Sequence, residues 1–286
     1  GLRLPQSQNS KSSSTPFLDL PDWLALGISF LFFSVWFTLL HFKYDSFGYS
    51  DWDLGFYNQA MWNLSFNGNQ YSSIFDRNLL GNHSNLIAFL FIPFYRVFPH
   101  PLTLILAKLL VLIFAGVVLY RYAKPKLGGT AALISMLLYL LYPANLFSII
   151  YEFDFESLSP IFLFLLYVFY VQKNFRGFLC AAIFTLLIKE NLSLVICAFG
   201  ITGLFSKEKL KWGVIPLAMG SISFFYLIQV LIPYFSVLIP HFPPIGKHPY
   251  LYLYSEFGQT PAQIAWKLVS TPSLIVQHLL TPWTMH

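Results

Sequence analysis

Long apolar runs, closed by short clusters of Lys and Arg, set the pattern of this chain. They cover Trp23 to Phe42, Pro101 to Tyr120, Leu127 to Tyr142, Leu158 to Val171, Phe178 to Phe205 and Trp212 to Ile239. Several approach the roughly 20 residues that cross a hydrocarbon core of about 30 Å at about 1.5 Å per residue. The runs are continuous and rich in Leu, Phe and Ile. They do not alternate as the strands of a membrane barrel do. The expected fold is therefore all-α, a polytopic helical membrane protein with about seven transmembrane helices. Its first helix follows the turn and cap signal Asp19-Leu20-Pro21-Asp22 and, with no cleavage pattern before it, is expected to remain as an anchor.

One long polar interruption, Tyr44 to Ser84, carries Asp45, Asp51, Asp53, Asp76, Arg77 and His83. Within it Leu54, Tyr57, Met61 and Leu64 recur at a helical period, which predicts an amphipathic helix along the membrane surface. Leu86 to Phe98 is too short to span and contains Pro93, so it reads as interfacial or re-entrant. Residues 1–21 are expected to be a flexible cytoplasmic tail and 22–239 the transmembrane domain, with an outer loop over 43–100. Residues 240–286 read as a polar and aromatic outer segment, with a surface helix around Pro261 to Ser270.

Phe178 to Phe205 admits two foldings. As one helix it would bury Lys189 and Glu190 near mid-bilayer, at about 2.5–3.5 kcal/mol each unless paired. As a hairpin it would bring both charges to water. The hairpin also puts the tail, Arg121 to Lys126, Lys173 to Arg176 and Lys207 to Lys211 on one side, as the positive-inside rule asks. Asp45, Asp51, Asp53, Asp76, Glu152, Asp154, Glu156, Glu190 and Glu256 then share the other side.

Composition narrows the picture. Hydrophobic residues make up 56% and charged residues 10%, against about 25% charged in soluble domains, so a soluble fold is excluded. The net charge of +5 comes from basic residues scattered at run ends, which marks topology and not a nucleic-acid stripe. Cys180 and Cys197 lie inside apolar segments and behave as small hydrophobes.

The candidate chemistry lies on the acidic side. Asp53 is either a general base for a hydroxyl acceptor or, like Asp51, a cap for the helix beginning at Leu54. His83 reads as a metal ligand, a proton carrier, a donor to phosphate or an exposed cap, and Asn82-His83-Ser84 also fits a glycosylation sequon. Glu152, Asp154 and Glu156 alternate, so an extended segment would put them on one face. With Asp53 or His83 they could ligate Mg²⁺ or Mn²⁺, or they form a hydrated loop. Lys189 would hold a phosphate with Glu190 fixing it, or the two form a structural ion pair; Arg77 is a second phosphate candidate.

Asp53-Leu54-Gly55-Phe56-Tyr57-Asn58-Gln59-Ala60-Met61-Trp62-Asn63-Leu64, Gly81-Asn82-His83-Ser84, Asp154-Phe155-Glu156 and Lys189-Glu190-Asn191 resemble the DUF2079 family of predicted membrane proteins. That family in turn resembles the GT-C superfamily of polytopic glycosyltransferases. The resemblance implies transfer of a sugar from a polyprenyl-phosphate donor to a glycan, lipid or protein acceptor at the outer face of a bacterial inner membrane. An acidic residue of the first outer loop, Asp53 or Asp51, would act as catalyst. Asp154-Phe155-Glu156 departs from relatives that carry a His before the Glu, which weakens a metal role there. The chain is short for that superfamily and is expected to be a truncated form. The competing expectations are a transporter or channel with a carboxylate-lined path, and an inactive lipid-binding scaffold.

Overall fold

The computed structural model describes residues 18–49, 52–237 and 254–280. Asp51, the tail Gly1 to Ser14 and the closing Thr281-Pro282-Trp283 lie outside the described residues. The fold is helical, with one two-residue ladder. Helix α1 (Leu20–Asp45) opens on a capping box in which the Asp19 and Asp22 side chains each accept the other's backbone N–H. Helix α2 (Asp53–Trp62) runs into a π-type turn, Asn63–Asn67. Strands β1 (Tyr71–Ser72) and β2 (Arg77–Asn78) pair antiparallel, followed by α3 (Leu79–Asn82) and α4 (Ala88–Val97).

The membrane portion then continues through α5 (Pro101–Leu127), α6 (Gly129–Leu140) and α7 (Pro143–Ile150). A 3-10 turn, Phe155–Leu158, leads to α8 (Ser159–Val171), α9 (Phe175–Leu186) and α10 (Leu192–Gly203). Helix α11 (Ile215–Tyr226), flanked by π-type turns, leads into α12 (Ile232–Val237). Last come α13 (Pro261–Ser270), at the expected position, and α14 (Pro272–Leu280).

Among the described residues three helices are long and apolar enough to cross a membrane: Leu20–Asp45, Pro101–Leu127 and Leu210–Ser236. A fourth is counted if α6 and α7, bent by 48° at their junction, form one span. Helices α9 and α10, at 12 residues each, are only roughly 18 Å long. Helix α4, at 10 residues with Pro93 inside, is shorter still and does not reach across, in keeping with its sequence.

The long helices run antiparallel and are pinned at both ends. Lys124 binds Asp19 and Asp22 at 2.7 and 2.8 Å, while Tyr120 donates to Asp22 at 2.8 Å. At the far end Tyr44 packs on His100 with ring centroids 5.2 Å apart, and Lys43 donates to the Ile150 carbonyl at 2.7 Å. Phe178 to Phe205 is a hairpin. The rings of Phe178 and Phe199 lie 5.7 Å apart, whereas in one straight helix those residues would be separated by roughly 30 Å. The turn at Lys189-Glu190-Asn191 therefore projects toward the same end as Asp53.

Helix α2 is one-sided as expected, with Leu54, Tyr57 and Met61 buried together with Phe56 and Ala60, but that face packs against α4 and α5 and so is covered by protein. Close approach of helices at the opposite end depends on Gly203, where a Cβ would fall on the Trp212 carbonyl. Gly203→Ala should therefore cost about 1–3 kcal/mol through overpacking. Gly27→Ala, with nothing within 4 Å of the new methyl, is expected to leave stability unchanged or slightly raised. Unfolding midpoints in detergent compare the two, and an equal effect of both changes would refute this packing account.

Candidate functional site

The site begins inside the membrane core. Lys108 of α5 is fully buried, and its ammonium donates to the carbonyls of Ser148, Tyr151 and Glu152 at 2.8, 2.8 and 2.9 Å. All three ammonium donors are thus met by acceptors, as burial of a charge requires. The acceptors lie at and just beyond the C-terminus of α7, where the helix dipole favours a cation. Lys108 thereby fixes the path of the acidic segment. Sequence reasoning missed it, although a single Lys inside an apolar span was a usable signal.

From that fixed segment two side chains reach α2. Glu152 accepts the Leu54 N–H at 2.8 Å, and Tyr151 donates to Asp53 Oδ2 at 2.8 Å. The cap reading of Asp53 is therefore corrected: the carboxylate capping α2 is Glu152, and Asp53 is held by a tyrosine hydroxyl. Burial raises the Asp53 carboxyl above the usual carboxylate range; the Tyr151 hydrogen bond pulls it back, while the charges of Glu152 and Asp154 raise it further. The same bond pushes Tyr151 up to about 12.

Asp53 lines a cavity of about 600 Å³ with Trp52, Tyr57, Phe75, Asp76, Arg77, Asn82, His83 and Asp154. Trp52 and Phe56 both stack on Phe75, with centroids 5.6 and 4.8 Å apart, which gives this region an aromatic wall. Arg77 donates to Asn82 Oδ1 at 3.0 Å. Asn82 is buried by this arrangement, so the sequon does not present an accessible acceptor. Asp76 accepts the Tyr71 hydroxyl at 2.6 Å.

The two remaining motifs close the cavity from behind. Lys189 lies 3.2 Å from Asp154 and 2.7 Å from Glu156, and Asn191 donates to the other Glu156 oxygen at 2.8 Å. Burial alone would lower Lys189, but the two carboxylates outweigh it and hold the ammonium above the ordinary lysine range. Glu190 does not fix Lys189. It sits 2.8 Å from His83 Nδ1 and accepts the Ser84 N–H at 3.1 Å. His83 is accordingly a mostly buried, carboxylate-bound imidazole and not an exposed cap.

The expected metal face is also redistributed. Glu152 turns to α2 while Asp154 and Glu156 grip a lysine ammonium, so the three carboxylates do not act together. No group of three or more His, Cys, Asp and Glu side chains converges as a metal site among the described residues. The cavity thus joins Asp53, Arg77, His83 and Asp154, whereas Lys189, Glu190 and Glu156 hold it from outside.

The family model described as "Predicted membrane protein (DUF2079)" matches residues 43–286, and the chain belongs to that family. No curated protein and no solved structure matches it.

Two outcomes follow from the electrostatics. Burial would raise Glu190, but the His83 and Ser84 bonds bring it from 4.5 down to about 2. Its ionised form therefore stabilises the fold above pH 4.5, and that contribution is lost as the pH falls toward 2. Glu190→Gln should lower stability at neutral pH and flatten the acid dependence over this range, read from unfolding at stepped pH. Tyr151→Phe removes a donor that favours the ionised Asp53, so the Asp53 titration should move upward in carboxyl-detected infrared or ¹³C spectra. A downward shift would contradict the assigned bond.

Proposed function

We propose that this DUF2079 protein is a GT-C-like, inverting glycosyltransferase using a polyprenyl-phosphate sugar donor. The observation that supports the reading is the two-sided chemistry of one cavity, where Asp53 with its raised pKa shares about 600 Å³ with Arg77 and His83. A transferase of this kind needs a base for the acceptor hydroxyl and donors for the leaving phosphate. Asp53 supplies the first role. Its raised proton affinity makes it a stronger base than an ordinary aspartate, while Tyr151 orients it. Arg77 supplies a forked, permanently charged partner for phosphate.

Lys189 is reassigned within this reading. Two carboxylates already meet its charge, so it positions Asp154 at the cavity wall. A Mg²⁺ or Mn²⁺ ion using Asp154 and Glu156 would have to displace this ammonium.

The positive-inside rule supplies the sidedness. Lys124, Lys126, Lys173, Arg176, Lys207, Lys209 and Lys211 lie at the cytoplasmic end of a bacterial inner membrane in this reading, and the cavity opens on the outer face. The transporter alternative calls for carboxylates along a path between the helices. Among the described residues they cluster instead at helix ends and in the connecting loops.

Asp53→Asn should lower transfer by about 10²–10⁴-fold in proteoliposomes supplied with a radiolabelled polyprenyl-phosphate sugar. Full turnover by that variant would sink the assignment. Arg77→Ala should act mainly by raising the KM for the donor.

A further inference from the structure

The cavity that Asp53 lines also holds a carboxylate-supported imidazole. His83 Nδ1 lies 2.8 Å from Glu190 Oε1, and the two side chains are 16% and 9% exposed. The pair joins distant segments, the loop after α3 and the turn between α9 and α10. Backbone bonds lock those segments together: Ile87 N–H donates to the Leu187 carbonyl at 2.7 Å, and Ser84 N–H holds the other Glu190 oxygen at 3.1 Å. An ionised carboxylate only accepts, so the Nδ1 of His83 carries the proton. Protonation changes are then confined to Nε2. Arg77 lines the same cavity, where its planar guanidinium suits binding of phosphate.

We infer that His83 is a catalytic proton donor for a phosphate-ester leaving group and that Glu190 is its positioning residue. This rests on the transfer reaction proposed above. In that step the bond between the anomeric carbon and the phosphate oxygen breaks, and its electron pair stays on the oxygen. The Nε2 proton of the His83 imidazolium passes to that oxygen. The acceptor oxygen bonds to the anomeric carbon, and its proton goes to Asp53. One proton leaves His83 and one arrives at Asp53, so the net charge of the site and its contents is unchanged. Exchange with water then resets both groups. Among the described residues, the charged groups around His83 include Glu190 from the α9–α10 turn and, lining the same cavity, Arg77 from β2 with Asp53, Asp76 and Asp154.

Two measurements test this. In the reconstituted enzyme, His83→Gln should lower kcat by about 10²–10⁴-fold. Glu190→Gln should lower kcat by about tenfold or more while donor KM changes little, as loss of a positioning group does. In ¹⁵N-histidine-labelled protein, farnesyl phosphate should move the Nε2 resonance of wild-type His83, and Glu190→Leu, which removes the acceptor, should abolish the fixed Nδ1–H tautomer. The titration is independent of turnover, so it separates this inference from failure of the sugar-transfer reading. Prenyl phosphate binding that leaves the His83 resonances unmoved would overturn the proposal. So would a wild-type kcat in His83→Gln.

Discussion

A buried ammonium with three carbonyl acceptors ties the membrane helices to the loops that do chemistry. Lys108 sits two turns into α5, inside its apolar stretch, and its charge is tolerable there only because Ser148, Tyr151 and Glu152 complete its hydrogen bonds. Taking the charge away would leave three carbonyls without this donor. Taking the carbonyls away would leave a bare charge. Each therefore holds the other in place, and the acidic segment inherits the rigidity of α5.

Rigidity then passes outward through side chains of the same segment. Glu152 caps α2 from 98 positions away in sequence, and Tyr151 holds Asp53 across the same separation. Asp154 and Glu156 reach in the other direction to Lys189, whose neighbour Glu190 holds His83. The cavity walls are thus linked by a continuous series of contacts running from Lys108 to the His83 loop. No helix of the bundle provides the site alone. Each contributes an end or a turn.

The arrangement also explains why charge is segregated. Lysines 124, 126, 173 and 211 gather at one end of the bundle, against Asp19, Asp22, Glu208 and the faces of Tyr122, Tyr170 and Trp212. The acidic segment and the Lys189 turn gather at the other end. A low-dielectric core disfavours isolated charge between the two, and Lys108 marks the position where that cost is met by dedicated acceptors.

Hydrophobic run length and the placement of Lys and Arg determined the helical membrane class, the break at Lys189 and the end at which the loop carboxylates gather, while four short motifs around Asp53, His83, Asp154 and Lys189 carried the family resemblance. These are one-dimensional properties, because a span needs only enough consecutive apolar residues and a charge needs only to reach water. Partner choice was not of that kind. Nothing local to Asp53 distinguishes a helix cap from a buried base, since the group that caps α2 lies in another loop. The alternation of Glu152, Asp154 and Glu156 suggested one face, but the 3-10 turn at Phe155 and the pull of Lys189 and Leu54 separated them. Glu190 looked like the partner of its neighbour Lys189 and instead binds His83. Only the tertiary structure decided these pairings, because a buried charge takes whichever complementary group the packing of the helices brings within hydrogen-bond reach.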